Sequence, residues 1–556
     1  TQTTLFDAAA PDASPQLSLE TVRAALAPLL ADPTITKYMH NAKFDMIVLE
    51  RHGMPVEPPI FDTMIASWLT NNAPNARHGL KDLALTELGI QMTPIKKLIG
   101  SGKKQITMAQ VPIEEAAPYA AADVDMTLRL AGRLEKRLKA DDGRAWKIFQ
   151  QIELPLVYVL KDMELAGIKL DVAVLKEISA RLAVRLKELE SEIHRLAGET
   201  FNINSTQQLS DVLFKKLKLP TTGLRKTKSG HYSTAAGVLE GLAGKHPVID
   251  LILEHRTLKK LQSTYVDALP KLVNPATGRI HTSYNQIGIS TGRLSSAEPN
   301  LQNIPIRTPQ GREIRRAFVA ERGWRLVAAD YSQVELRVLA HIADDPGLKA
   351  AFANDEDIHT ATAAAVLGIP QSEVTKDQRR IAKTVNFGLA YGQSAYGLAQ
   401  STGMSREEAQ AFMDTYFANY PGVKRYIEET RRRAAEEGYT ETLLGRRRDF
   451  SQLAELSGPQ RARAEREAIN MPIQGTAADI MKIAMINLHR ALNEGGFQAR
   501  MLLQVHDEVV LEAPKGELAR LVPLLRKVMG EAYPLAVPLK VDVEVGKNWL
   551  EMEPVS

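Results

Sequence analysis

The chain has 556 residues, 44% hydrophobic and 24% charged, with a formal net charge of +4 at pH 7. That length exceeds one hydrophobic core and predicts three or more domains of an ordinary globular protein, whose mild basicity leaves nucleic-acid binding to local patches. The absence of cysteine excludes disulfides and thiolate metal sites, and no signal peptide or membrane-length apolar stretch is visible, so a cytosolic enzyme is expected.

In chain order, Thr1 to Pro15 (TQTTLFDAAAPDASP) reads as linker, with ordered structure expected from about Ser14. From Leu17 to Lys139 helices alternate with short apolar pieces, and Ala140-Asp-Asp-Gly-Arg-Ala-Trp146 is a charged, glycine-containing break. Long amphipathic helices are predicted over Ala173–Ala197 and Pro247–Leu269. Between them, Leu219 to Thr234 is rich in Gly, Ser, Thr and cations. It is expected to be a mobile loop, either a clamp on duplex phosphates or a solvated linker.

Further along, Leu326 to Ala329 is a short strand-like run ending in Asp330, followed by helical spacing of Val334, Leu336 and Leu339. Asp344 to Phe450 reads as helical, as does Arg461 to Arg490. Leu502–Val505 and Val509–Leu511 flank His506-Asp507-Glu508, which predicts a hairpin with two acids at its tip. Val537 to Trp549 is read as a closing strand. No internal repeat and no low-complexity tract is visible.

The chemistry concentrates in three places. Within Thr375–Tyr391, the residues Arg379, Lys383, Phe387 and Tyr391 follow one another at i+4. Each step drifts only ~40° around a helix, so the four share one face. Two cations followed by two aromatics match a nucleoside triphosphate: charge for phosphates, a flat surface for the base. The same stripe also suits an amphipathic helix with solvated cations and buried aromatics. Two acids at strand ends, Asp330 and Asp507, shift the balance. Phosphoryl transfer needs charge neutralisation, and two Mg²⁺ ions held by two carboxylates and a backbone carbonyl can provide it. A phosphate-binding loop of the form GxxxxGK followed by Ser or Thr is absent.

The segments DYSQVELR, DQRRIAKTVNFGLAYG and QVHDE, with TGRLSSAEPNLQNIP ahead of them and REAINMPIQGTAADI between the last two, resemble the motifs of family A DNA polymerases. The likeness is to the large, Klenow-type form and covers nearly the whole chain. It implies a multidomain α/β and α+β protein. A right-hand polymerase fold of palm, fingers and thumb would follow a partial ribonuclease-H-like 3′–5′ exonuclease domain. The implied boundaries are 1–140 for the partial exonuclease domain, 150–283 for the thumb with the start of the polymerase domain, 284–343 for the first part of the palm, 344–450 for the fingers and 451–556 for the second part of the palm.

By the same resemblance, Asp330, Asp507 and Lys383 are the catalytic set, with two Mg²⁺ ions on Asp330, Asp507 and the carbonyl of Tyr331. Arg379, Lys383 and His359 would hold the triphosphate, and Phe387, Tyr391 and Gln333 would meet the rest of the nucleotide. Glu335 would exclude a ribose 2′-OH; as an isolated residue it reads as a helix-surface acid paired with Arg337 or another cation. Phenylalanine at position 387 implies poor use of dideoxynucleotides. Arg293, Asn300, Gln302, Asn303, Arg466, Asn470, Gln474 and His506 would line the primer–template minor groove, whose acceptors are nearly sequence-independent. Arg256 and Lys260, with Ser263 and Thr264, would lie near the DNA on the thumb.

His40-NAKFDMIVL and Tyr119-AAADVDMTL resemble two exonuclease motifs, with Asn41, Asp45, Tyr119 and Asp123. The third, an Asp-x-Glu ahead of Asp45, does not occur. The expectation is an incomplete N-terminal domain without proofreading in this chain, through a shortened chain, preceding residues outside it, or a second polypeptide. The family's separate 5′ nuclease domain is also missing. The expected protein is a monomeric, nucleoid-associated enzyme of the cytoplasm, independent of membranes, that adds dNTPs to primer–template DNA. Alternatives are a related single-chain RNA polymerase and a DNA-binding scaffold with decayed catalysis.

Overall fold

The computed structural model describes residues 17–73 and 75–555. The linker expected over Thr1–Pro15 therefore lies outside the described residues. The N-terminal region packs helices around a two-stranded parallel pair, Lys37–Met39 beside Ile60–Asp62. Its long helix, Ile113–Lys139, turns Leu130, Leu134 and Leu138 inward at i+4 spacing against Met46, Ile65 and Phe149. The helix Leu154–Ala166 carries the chain into the main body, and ion pairs Lys43–Glu164 and Lys161–Glu50 fasten it to the N-terminal region.

At the centre of the body is a five-stranded antiparallel sheet from two distant parts of the chain. Its order is Arg500–Val505, Glu508–Pro514, Trp324–Tyr331, Val541–Gly546 and Met552–Pro554. Val327, Ala329 and Tyr331 face a core shared with the helices Val334–Ile342 and Gly458–Glu494. Leu326, Val510 and Trp549 face a second core shared with the helices Val172–Ala197 and Pro247–Leu261. Burial on both faces explains why Leu326–Ala329 is a continuous apolar run rather than an alternating one.

Several expectations shift in detail. The strand Trp324–Tyr331 runs one residue past Asp330. Glu508 pairs with Val505 as the first residue of its strand, so only Asp507 sits in the hairpin loop, beside His506 at φ +55°. Val541–Gly546 is followed by an outer strand and does not close the sheet. Leu219–Thr234 is a hydrogen-bonded turn, with Thr227 N donating to His231 O at 2.8 Å and Ser233 N to Arg225 O at 3.1 Å. The helix from Pro247 ends at Leu261, where Gln262–Val266 widens its turn, short of the expected Leu269. The stripe helix is Lys376–Ala390, started by Thr375 and Gln378 in a reciprocal capping box.

Beneath the sheet lies a cluster of four charges, all under 4% exposed: Glu153, Arg446, Asp479 and Lys482. Arg446 Nε donates to Asp479 Oδ1 at 2.8 Å and its Nη2 to Glu153. Lys482 Nζ donates to Glu153 Oε1 at 2.6 Å, and Gln286 Nε2 to Glu153 Oε2 at 2.8 Å. Burial would raise the Glu153 carboxyl, but Lys482 and Arg446 bring it down to about 2. Two cations against two acids leave the interior neutral, the condition under which charges persist there. Gly292 closes over the cluster at φ +79°, where a Cβ would stand 2.7 Å from Arg446 Nε. Glu153→Ala would strand Lys482 and should lower the stability of the body by ~3–5 kcal/mol in a denaturant titration. A loss below ~1 kcal/mol would show that the cluster is not buried as described.

Candidate active site

Antiparallel register brings the two acids together. Asp330 lies opposite Glu508 on one side and Asp542 on the other. Asp507 follows from the loop, its carbonyl accepting the Tyr331 N–H at 3.0 Å. Burial, then Glu508, Asp507, Asp542 and Glu544, push the Asp330 carboxyl up to about 7. No hydrogen bond or ion pair reaches the Asp330 side chain among the described residues. Burial also raises Asp507, against the pull of Arg293, whose Nη2 is 3.6 Å away.

These acids open into a cleft of about 540 Å³ whose far wall is the helix Lys376–Ala390. Arg379, Lys383, Phe387 and Tyr391 all line it, as their i+4 spacing predicts. Arg379 Nη2 donates to Asp357 Oδ2 at 2.6 Å, and Asp357 caps the helix Ile358–Leu367 through Thr360 N at 2.7 Å. Burial opposes ionisation of Asp357, but the bonds from Arg379 and Thr360 bring it down to about 2. Lys383 has no ion-pair partner among the described residues.

His359 is 2% exposed, and its Nδ1 faces Asn386 Nδ2 at 3.1 Å. Burial pushes the imidazole down to about 4, with Arg379 and Lys383 adding to the effect. A neutral ring accepting at Nδ1 carries its proton on Nε2, ready to donate. Its ring centroid lies 5.8 Å from that of Phe387, which is 6.3 Å from Tyr391.

Glu335 sits in the first turn of Val334–Ile342, 7% exposed. It accepts from Tyr391 Oη and Arg293 Nη2, with Gln474 as a further hydrogen-bond partner. Arg337 instead holds the carbonyls of Ser332 and Pro538, so the cation paired with Glu335 is Arg293 and the carboxylate is buried, not at the helix surface. Gln333 precedes this helix at φ +55° and lines the cleft.

Of the residues expected at the minor groove, Arg293, Gln474 and His506 line the cleft. Gln302 lines an adjoining cavity of about 190 Å³ with Lys482 and Asp507, and its Nε2 donates to Gln504 Oε1 at 3.0 Å. Arg466 and Asn470 precede Gln474 on one helix at i+4 spacing but stand outside the cleft wall. Asn300 caps the turn Leu301–Asn303, and the Asn303 carbonyl accepts from Tyr265 Oη at 2.7 Å. Arg256 bonds Thr234, and Lys260 is exposed on the same helix, both away from the cleft. Asp357 and Arg315 support or line the cleft and were not singled out from sequence, whereas Glu508, expected as an acid at the hairpin tip, lines it from the strand. Only Glu508 had a signal, as the residue that strand alternation places on the Asp330 face.

In the N-terminal region, Asp45, Tyr119 and Asp123 line one cleft of about 1020 Å³. Tyr119 Oη accepts from Lys81 Nζ at 2.6 Å. Burial, with Asp62, pushes Asp45 up to about 6. Phe44 and Val124, 65% and 71% exposed, form part of its apolar wall.

A two-part antiparallel sheet with acids facing a cation–aromatic helix, preceded by an exonuclease-type region, defines a polymerase fold. The profile of DNA polymerase family A matches residues 172–551 and that of a 3′–5′ exonuclease matches residues 8–139. The chain belongs to DNA polymerase family A. It is 55% identical over 537 residues to DNA polymerase I of Chloroflexus aurantiacus, covering 96% of this chain and 56% of that protein. DNA polymerase I of Pseudomonas aeruginosa is 48% identical, with 96% of this chain and 59% of that protein covered. The chain thus spans somewhat over half the length of these curated relatives. The POL domain of Pol1 from M. smegmatis, solved with DNA primer-template and dNTP, superposes with a TM-score of 0.85 at 40% identity, covering 95% of this chain and 88% of that one. No helix among the described residues is long and apolar enough to cross a membrane.

The state of His359 is directly measurable. The unfolded chain takes up this proton near 6.5 and the folded chain only near 4. Proton binding in that window favours the unfolded state, so stability falls as pH drops from 6.5 towards 4. Nitrogen NMR should find this imidazole neutral at pH 6, with its proton on Nε2; a titration midpoint near 6.5 would contradict the buried assignment.

Proposed function

We propose that the chain is a template-directed DNA polymerase that adds dNTPs to a primer 3′-OH. The observation that carries this is Asp330 and Asp507 side by side across from Arg379, Lys383 and His359 in one cleft. Acids crowd Asp330 and no cation among the described residues bonds it, which fits a site built for hard divalent ions. Two carboxylates and the Tyr331 carbonyl would hold two Mg²⁺ ions, leaving coordination places for water and phosphate. When bound, such ions stabilise charge on the attacking and leaving oxygens of an in-line displacement.

The chain's own residues do the rest. Arg379 leaves Asp357 for the triphosphate, Lys383 adds a second cation and His359 Nε2–H a neutral donor. Phe387 and Tyr391 support sugar and base. Glu335, held between Arg293 and Tyr391, fills the space a ribose 2′-OH would need. Arg293 and Gln474 bond this carboxylate while facing the primer–template, coupling sugar selection to pair geometry. Residues 150–283 are assigned to the thumb, 344–450 to the fingers, and 284–343 with 451–556 to the palm.

Proofreading by this chain is not expected, because Asp45 and Asp123 supply two carboxylates where the two-metal exonuclease site would need the Asp-x-Glu pair as well. A labelled primer–template with Mg²⁺ and dNTPs should be extended, and Asp330→Ala should lose ~10²–10³-fold or more in rate with DNA affinity nearly kept. Equal activity of the variant would remove the metal-site assignment. Glu335→Ala should raise ribonucleotide incorporation relative to deoxynucleotide. A primer with a mismatched 3′ end should stay full length without dNTPs; its shortening would refute the inactive assignment.

A further inference from the structure

Arg315 stands apart from the arginines around it. Arg316 Nη2 bonds Glu177 at 2.8 Å, and Arg312 Nε donates to the Ile306 carbonyl at 3.2 Å. The Arg315 guanidinium has no acceptor among the described residues; its Nε is buried and unpartnered, as is that of Arg316, but Arg316 keeps its Nη2 bond to Glu177. It nevertheless lines the active cleft beside Asp330 and Glu508.

Its position is fixed from below. The guanidinium carbon lies 4.0 Å from the Trp549 ring centroid, a stacked geometry that arginine favours. Trp549 is 3% exposed, meets Phe318 edge-on at 5.6 Å and donates from Nε1 to Glu508 Oε1 at 3.1 Å. A cation held on a rigid aromatic plate, with its donors unused, is preorganised for an anion that is not part of the fold.

Two phosphate sources reach such a cleft. The triphosphate belongs to the opposite wall, where Arg379, Lys383 and His359 stand. Arg315 lies on the Glu508 side, by the core shared with the helices Val172–Ala197 and Pro247–Leu261. We propose that Arg315, oriented by Trp549, binds the phosphodiester next to the primer 3′ end and so sets the 3′-OH against Asp330. This rests on the polymerase reading.

The test measures primer–template affinity without dNTPs and extension kinetics separately, using Arg315→Ala, Arg315→Lys and Trp549→Phe, each checked for an unchanged unfolding transition. Arg315→Ala should weaken DNA binding by about 10- to 100-fold, the size of a lost charge-assisted contact, and lower the salt slope by ~1. KM for dNTP should stay unchanged. Arg315→Lys should recover part of the affinity, since it keeps the charge and loses the fork. A primer with an uncharged methylphosphonate at its last linkage should bind the parent protein more weakly and affect Arg315→Ala no further. Equal loss with that primer in both proteins would overturn the assignment. A raised KM for dNTP with intact DNA affinity would overturn it in favour of the triphosphate. Absence of extension by the parent protein would sink the polymerase reading, while the binding comparison still decides whether Arg315 meets that phosphodiester.

Discussion

The register between Trp324–Tyr331 and Glu508–Pro514 is the constraint on which the site depends. Side chains alternate across a strand, so a slip of one residue would drive Asp330 into the apolar layer and turn Tyr331 out. Both faces of the sheet are covered, by Tyr331, Val327 and Val509 on one side and Leu326 and Val510 on the other, which makes such a slip costly. Once the register is set, Asp507 has little freedom: its carbonyl is tied to Tyr331 N, and the short loop cannot swing away. The helix bearing Glu335 starts three residues beyond Tyr331, so the placement of its carboxylate is referenced to the same strand.

A second layer of order comes from the charges below. Glu153, Arg446 and the pair Asp479 and Lys482 on one helix come from three parts of the chain, and the four charges together are neutral. Gly292 touches Arg446, and the next residue, Arg293, reaches Glu335 and approaches Asp507. Lys482 also borders the cavity that holds Gln302 and Asp507. The cluster thus supports the cleft from beneath, as preorganised electrostatics require of a rigid scaffold.

What was legible in the sequence follows from the range of each interaction. The Arg379–Tyr391 stripe depends on helical period alone, and the capping box of Thr375 and Gln378 starts that helix without tertiary help. The same holds for Tyr119 and Asp123, which share a cleft because they are one helical turn apart. Asp330 and Asp507 were recognisable as strand-end acids, but their neighbourhood depends on pairing that no local pattern encodes. Arg379 in the grip of Asp357, Arg315 on Trp549 and Glu335 between Arg293 and Tyr391 are contacts across the fold, and periodicity carries no trace of them. Of the residues expected near DNA, Asn300 caps the turn that follows it and Arg256 bonds the Thr234 carbonyl, partners that no sequence pattern announces.

The sheet's strand order has a consequence for biosynthesis. Trp324–Tyr331 leaves the ribosome long before Glu508–Pro514 and Val541–Gly546, the two strands that flank it. Until the final stretch of the chain is made, the middle strand has two open edges, and the helix Gly458–Glu494 that covers its Val327 face is also still to come; such a strand is the type of segment that invites self-association and chaperone attention. The N-terminal helices, by contrast, rely on partners that are close in sequence and can close early. Translation therefore closes the packing of the N-terminal helices first, and the central sheet forms only after Glu508–Pro514 and Val541–Gly546 have emerged.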